Sequence, residues 1–239
     1  MISERTFAEG YTSFWHQCLP MGEAVVQAIN HRLLKHFAAV RGDADREIRD
    51  DLVGDIGLRW FSARVARGRL AAREPARKEL DRLAAEASAF VHRLRGSPVP
   101  ELPPPSPTEL REAAALADRL VEFVRHQGGS ETLVPRPAFA GCGVLAACAG
   151  DLLIGRTLYE VKDVGRGFRQ PDLRQLVVYC ALNSAAPRYK IQRLGLVNPK
   201  RGTYFLSDLE WLVRNLSGQG SADLFAEILD FVATERISL

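Results

Sequence analysis

Residues 96–108, GSPVPELPPPSPT, hold six of the 13 prolines in the chain. Proline lacks a backbone N–H and locks φ, so such a run is extended polyproline II and cannot continue a helix. It therefore excludes a single helical bundle running end to end. The 239 residues fit one large domain or two small ones at about 100–200 residues per domain. The break in pattern predicts a helical domain over 1–96, a proline-rich linker over 97–107 and an α/β domain over 108–239.

The first stretch carries apolar residues at helical spacing. MGEAVVQAINHRLLKHFAAV places Val25, Ala28, Ile29, Leu33 and Phe37 on one face. DADREIRDDLVGDIGLRWFSARVARGRL does the same with Ile48, Leu52, Ile56, Trp60 and Val65. A third helix is expected across PARKELDRLAAEASAFVHRL, with Pro75 in its first turn. Phe14-Trp15 is expected to anchor the amino terminus on this helical bundle.

Charge and cysteine content narrow the class. Hydrophobic residues at 46% and charged residues at 26% exclude a disordered or fibrous chain. No apolar run approaches the roughly 20 residues that span a bilayer. The charged start, MISERTFAEG, lacks the apolar core of a signal peptide, so a soluble cytoplasmic protein is expected. A net charge of +3 is too mild to demand an anionic partner. Five of the 32 basic residues are lysine and the other 27 arginine, the side chain with a forked phosphate-binding geometry; most sit on helix faces where solvation alone explains them. Cys18, Cys142, Cys148 and Cys180 form no CxxC pair, which argues for free thiols over a zinc ribbon or a disulfide framework.

Beyond the prolines, Thr108 is expected to cap a helix, TELREAAALADRLVEFVRHQ, ending at Gly128–Gly129. The period then changes. GCGVLAAC, DLLIG and TLYEVKDV are short, apolar and separated by glycine turns, as strands are. PDLRQLVVYCALNSA continues as a helix, YKIQRLGLVN and GTYFLSD as strands, and SDLEWLVRNL and SADLFAEILDFVATERI as closing helices.

The informative run is residues 149–179. Gly155-Arg156 suits a two-residue type II′ turn, with glycine first. That turn pairs Ile154 with Thr157, Leu152 with Tyr159 and Asp151 with Glu160. Cross-strand partners stand about 5 Å apart on one sheet face. Strand period puts Lys162 on the same face as Glu160. Two facing carboxylates repel, so a cation must hold them together: Lys162 in part, and Mg²⁺ or Mn²⁺ more fully, since hard oxygen ligands suit these ions. On the following helix, Gln175 and Tyr179 lie four apart, hence on one side, while Leu173, Leu176, Val177 and Cys180 face the sheet.

Asp151, then Glu160-Val161-Lys162, then Gln175 and Tyr179 in a Q-x-x-x-Y helix, resemble the PD-(D/E)xK nuclease superfamily, in its RecB/Cas4-like branch. The resemblance spans residues 108–215 and departs from the pattern in having Gly150, not proline, before the aspartate. It implies a restriction-endonuclease-like α/β core, a mixed sheet flanked by helices, carrying an N-terminal all-helical domain. It also implies an Mg²⁺- or Mn²⁺-dependent deoxyribonuclease. Asp151 and Glu160 would bind the metal with the Val161 carbonyl, and Lys162 would orient the attacking water. Gln175 and Tyr179 would position the nucleic acid. An additional His or Glu from the first core helix is common in this branch, and Glu109, Glu112, Glu122 and His126 are the candidates. With no cysteine after Cys180, no iron–sulfur cluster is expected. DNA is the expected partner, joined by a helicase or ATPase in repair or anti-phage defence, with oligomerisation left open.

Two further readings stay beside this one. Arg166, Arg169 and Arg174 flank the site with Gly165 and Gly167, as a phosphate-contacting loop or as a solvated turn. The chain could also keep the nuclease fold without cleavage, as a nucleic-acid-binding or assembly module.

Overall fold

The structure is a computed structural model that describes residues 1–42, 48–68, 70, 77–95, 103–129 and 131–234. Three short helices open the chain: α1 (Glu4–Glu9), α2 (Thr12–Cys18) and α3 (Gly22–Ala28). A π-helical turn, Ile29–Leu33, leads into a two-residue strand, β1 (Lys35–His36). Helices α4 (Asp50–Ala66), α5 (Arg77–Arg95) and α6 (Pro107–His126) follow. Next come β2 (Leu133–Pro135), β3 (Ala138–Phe139), β4 (Cys148–Ala149), β5 (Leu152–Ile154) and β6 (Thr157–Val161). The chain continues through α7 (Gln170–Ala185), β7 (Arg193–Asn198), β8 (Thr203–Asp208), α8 (Leu209–Ser217) and α9 (Ser221–Thr234).

The architecture is α/β, built on a six-stranded mixed sheet in the order β1-β8-β7-β6-β5-β2 and flanked by helices. β6 and β7 run parallel, and α7 is the crossover a parallel pair needs. The other neighbours are antiparallel. β3 and β4 form a separate two-stranded ribbon.

Strand alternation sends successive side chains to opposite faces, and each face has its own core. On one, Leu153, Leu158, Leu194 and Leu196 pack with Leu173, Leu176 and Val177 of α7 and with Ile228 and Val232 of α9. On the other, Leu152, Ile154, Tyr159 and Val161 pack with Leu116, Leu120 and Phe123 of α6 and with Trp60 and Phe61 of α4. Gly195 pairs with Tyr159, and a Cβ there would stand 2.3 Å from the tyrosine ring. Only glycine lets that ring lie over the strand.

The residues before the proline-rich segment are used differently from the sequence expectation of a helical domain of their own. β1 extends the sheet, Lys35 pairing with Tyr204. Phe7, Phe14 and Trp15 join the core of α7 and α9, where Phe14 stacks on Phe231 with centroids 4.0 Å apart. The three aromatics pack on one another, with centroids 4.9–5.6 Å apart, and short helices alone cannot cover them, so they are buried against α7 and α9 as well. Phe14-Trp15 thus anchors the amino terminus to the far end of the chain. Of the expected linker, residues 97–102 lie outside the described residues; 103–106 is irregular and Pro107 opens α6.

Several element boundaries shift for local reasons. Ser106, not Thr108, caps α6: its hydroxyl accepts the Glu109 N–H at 3.2 Å, and Glu109 accepts the Ser106 N–H at 2.7 Å. The helix expected over 21–40 stops at Ala28 and its π turn, with Asn30 bonding both the N–H and the carbonyl of Phe168 at 2.9 Å. The strand expected over 141–148 is a tight turn at Cys142–Leu145, and only its last residue, Cys148, enters a strand, β4. Gly143 takes φ +54°, and Cys142 and Leu145 exchange backbone hydrogen bonds. β2 has only three residues, too few for periodicity to reveal. Pro75, residues 43–47 and 69 of the second helix, and residues 235–237 of the last lie outside the described residues. All four cysteines are free. No helix among the described residues is long and apolar enough to cross a membrane.

Candidate active site

The β5–β6 hairpin has the register its turn dictates. Leu152 pairs with Tyr159, Leu153 with Leu158 and Ile154 with Thr157. Gly155 has φ +57° and Arg156 a negative φ, as a type II′ turn requires. Asp151 precedes β5 and Glu160 lies on β6, both on the face covered by α7. Asp151 Oδ2 accepts the Val161 N–H at 2.7 Å, which pins the aspartate to the strand that carries Glu160.

Lys162 closes the group. Its Nζ donates to Glu160 Oε1 at 2.8 Å and to Gln175 Oε1 at 2.7 Å, and lies 3.7 Å from Asp172 Oδ1. Burial works to lower the pKa of this ammonium, but Glu160, Asp172 and Asp151 outweigh it and raise the pKa. Glu160 is 2% exposed. Burial, aided by Asp151, pushes its carboxyl up to about 8. Burial also raises Asp151. The site thus holds carboxylates that resist ionising together.

Glu160 Oε2 is buried and has no hydrogen-bond partner. An orphaned carboxylate oxygen beside a second carboxylate is a hard-donor pair that a divalent cation satisfies. The residues therefore fit the metal that the sequence resemblance implies, and Asp151 and Glu160 would hold it. Among the described residues, no group of three or more His, Cys, Asp or Glu side chains is arranged to hold a metal ion. The sequence resemblance implies the Val161 carbonyl as a further oxygen donor to such a cation.

Gln175 and Tyr179 are 5% and 2% exposed, and both line the cleft. Burial holds the Tyr179 phenol well above its usual pKa, so it stays protonated. Its ring stacks on Phe139 at 5.2 Å. Arg166 Nη1 donates to Asp172 Oδ2 at 3.1 Å, and the Arg169 N–H donates to the same oxygen at 2.8 Å. Asp172 thereby fixes the loop, and the exposed Arg169 also borders a second cavity between α3 and the start of α7. Arg174 turns away from the site. It donates to the Ala8 carbonyl at 3.1 Å and to Gln170, and it stacks over Trp15.

The four α6 candidates have other partners. Glu109 pairs with Arg49 at 2.7 Å, Glu112 with Arg41, and Glu122 with Arg119 at 3.0 Å. His126 lies 3.4 Å from the Tyr204 hydroxyl. α6 covers the sheet face opposite the acids; of the four, Glu109 alone lines the cleft, where Arg49 holds its carboxylate.

Glu4 comes closer than any of them in electrostatic terms. The Ile2 N–H donates to the Val144 carbonyl at 2.8 Å, and the Ala146 N–H donates to the Ile2 carbonyl at 2.9 Å, which brings the first turn of α1 to the cleft rim. Burial raises the Glu4 carboxyl, and repulsion from Asp151 adds to it. Asp172 and Glu4 are the acids that sequence reasoning missed. Asp172 sits at a capping-box position, a readable signal; nothing local marks Glu4, whose placement depends on long-range pairing.

These groups form the floor of a cleft of about 1510 Å³ between α1, the start of α4 and the hairpin. Comparison with models of known protein families gives no match, and comparison with curated proteins gives none either.

Proposed function

We propose that this protein is a metal-dependent nuclease that hydrolyses phosphodiester bonds of DNA, with a restriction-endonuclease-like core carrying its site. The observation that supports this most is the convergence of Asp151, Glu160 and Lys162 in a buried group in which Glu160 Oε2 has no hydrogen-bond partner. A structural salt bridge needs Lys162 and one acid; it does not need a second acid held opposite by a backbone N–H.

Asp151 and Glu160 hold the divalent cation, which supplies Lewis acidity toward the phosphoryl oxygens. Lys162, kept charged by its three acidic neighbours, orients the attacking water and stabilises the negative charge that grows on the phosphoryl oxygens. Gln175 fixes the direction of that amine through its 2.7 Å bond. Tyr179, protonated, offers a donor to the strand. Water oxygen bonds to phosphorus, the phosphorus–oxygen ester bond breaks, and one water proton ends on the departing sugar oxygen. The products are a phosphomonoester and a free hydroxyl.

The test is cleavage of labelled DNA with Mg²⁺ or Mn²⁺ against a chelator control. Cutting by the wild type that is lost in Glu160→Ala supports the reading. Cutting unaffected by Glu160→Ala and by Asp151→Ala removes the site, and no cutting by the wild type removes the activity in favour of a binding module. A helicase or ATPase partner in repair or defence is part of the proposal and is carried by the sequence resemblance alone.

A further inference from the structure

Arg136 stands at an odd place in the backbone. It lies between Pro135 and Pro137, and a residue before proline is pushed toward extended φ near −120°. Arg136 instead has φ +53°, in the left-handed region that favours glycine. Such a conformation persists only where its surroundings enforce it, and it clusters at functional sites.

Here the surroundings are the active-site hairpin. β2 ends at Pro135, paired with Leu152, and the Arg136 N–H donates to the Asp151 carbonyl at 2.9 Å. The side chain leaves on the cleft wall. Its Nη1 donates to Asp55 Oδ1 of α4 at 2.7 Å, and the guanidinium lies 5.7 Å from the Phe90 ring centre of α5. Asp55 has a second cation already, with Arg59 Nε at 2.5 Å. Neutralising Asp55 therefore does not call for a strained arginine. A guanidinium has five N–H donors, and the Asp55 bond uses one of them.

We propose that Arg136 grips a substrate phosphate in the cleft, beside the acid pair that holds the cation. This assignment rests on the reading of the cleft as a phosphodiester site. The two chemistries are complementary: the floor takes a cation through Asp151 and Glu160, and the wall takes the anionic phosphate through a planar, forked donor. Asp55 and Phe90 hold the fork at a fixed height, so α4 and α5 contribute to substrate binding through this one side chain. Arg174, which sequence placed at the site, is buried against Ala8 and Trp15 instead.

The experiment is fluorescence anisotropy of a labelled 12-nucleotide single-stranded DNA in EDTA, against a salt series. It uses the full chain as wild type, Arg136→Gly and Arg136→Asn, with cleavage in Mn²⁺ measured alongside. Glycine and asparagine both accept positive φ, so both variants should melt within a few degrees of the wild type. Each should raise Kd about tenfold and flatten the slope of log affinity against log salt by about 0.7, the single-strand value for one phosphate contact. A wild type that binds and cuts, with either folded variant keeping its Kd and slope, overturns the role of Arg136 and leaves the active site standing. A wild type that neither binds nor cuts overturns both.

Discussion

Gln175 Oε1 lies 2.7 Å from Lys162 Nζ, so a side chain in the second turn of a buried helix aims an amine carried just past the end of β6. The sheet supplies the charge and the helix supplies its direction. Replacing Gln175 with Ala takes away one acceptor from a largely buried ammonium. The expected cost in stability is about 1–3 kcal/mol, read by denaturant melts. The turnover number for cleavage should fall about tenfold or more, with Mn²⁺ affinity unchanged, because the proposed metal ligands are intact.

Glu160 gives the protein a pH signature. Its carboxyl is raised from 4.5 to about 8 by burial and by Asp151. The folded chain therefore keeps a proton that the unfolded chain releases above pH 4.5. The stability this gives is full below pH 4.5 and is lost as pH rises toward 8. Without divalent cations, Tm should drop between pH 5 and pH 8. Glu160→Gln, permanently neutral, should be more stable than wild type at pH 8 by about 2 kcal/mol, given that one pKa unit is about 1.4 kcal/mol and that Lys162 loses an ionic partner. Added Mn²⁺ should raise the wild-type Tm and leave the variant's unchanged.

Glu109 behaves in the opposite sense. Its bonds to Arg49 hold its carboxyl down at about 2. Stability from this pair is present above pH 4.5 and is lost as pH falls toward 2. Glu109→Gln, which keeps the capping position but loses the charge, should cost about 1–2 kcal/mol at pH 7 and nothing at pH 2. Thermal melts across that range check it. Mn²⁺ affinity should not change, since Arg49 and the Ser106 N–H already take up the Glu109 carboxylate.

Gly195→Ala should destabilise by about 1–3 kcal/mol, in the range of core overpacking. Its Cβ would meet the Tyr159 ring at 2.3 Å. Tyr159 is paired with Leu152, so the strain reaches the hairpin. Chemical denaturation should show the loss, and calorimetry should show Mn²⁺ binding, as proposed for Glu160 and Asp151, weakened but retained.

The hairpin was legible from sequence because its turn fixes register: Gly155-Arg156 sets Leu152 against Tyr159 by counting alone. The four-residue spacing of Gln175 and Tyr179 put both on one side of their helix, and both do line the cleft; the bond of Gln175 to Lys162 joins two elements and no local spacing records it. Local patterns failed where partners are far apart in the chain. Lys35 pairs with Tyr204, and Phe14 stacks on Phe231, across separations that no period records. Arg174 was misread for a simpler reason. On a helix covered by α1 as well as the sheet, an arginine can bury its charge against a carbonyl and an indole, and helical spacing does not distinguish that side from the one facing the acids. Glu4 depended on the pairing of Ile2 with residues 144–146.

The most direct measurement is the single-turnover cleavage rate of a labelled DNA strand at saturating Mn²⁺, comparing wild type with Lys162→Ala. Calorimetry of Mn²⁺ binding to both proteins would accompany it. The expected result is a rate at least a hundredfold lower in the variant, with Mn²⁺ affinity retained by Asp151 and Glu160. Equal rates in the two proteins would contradict the account.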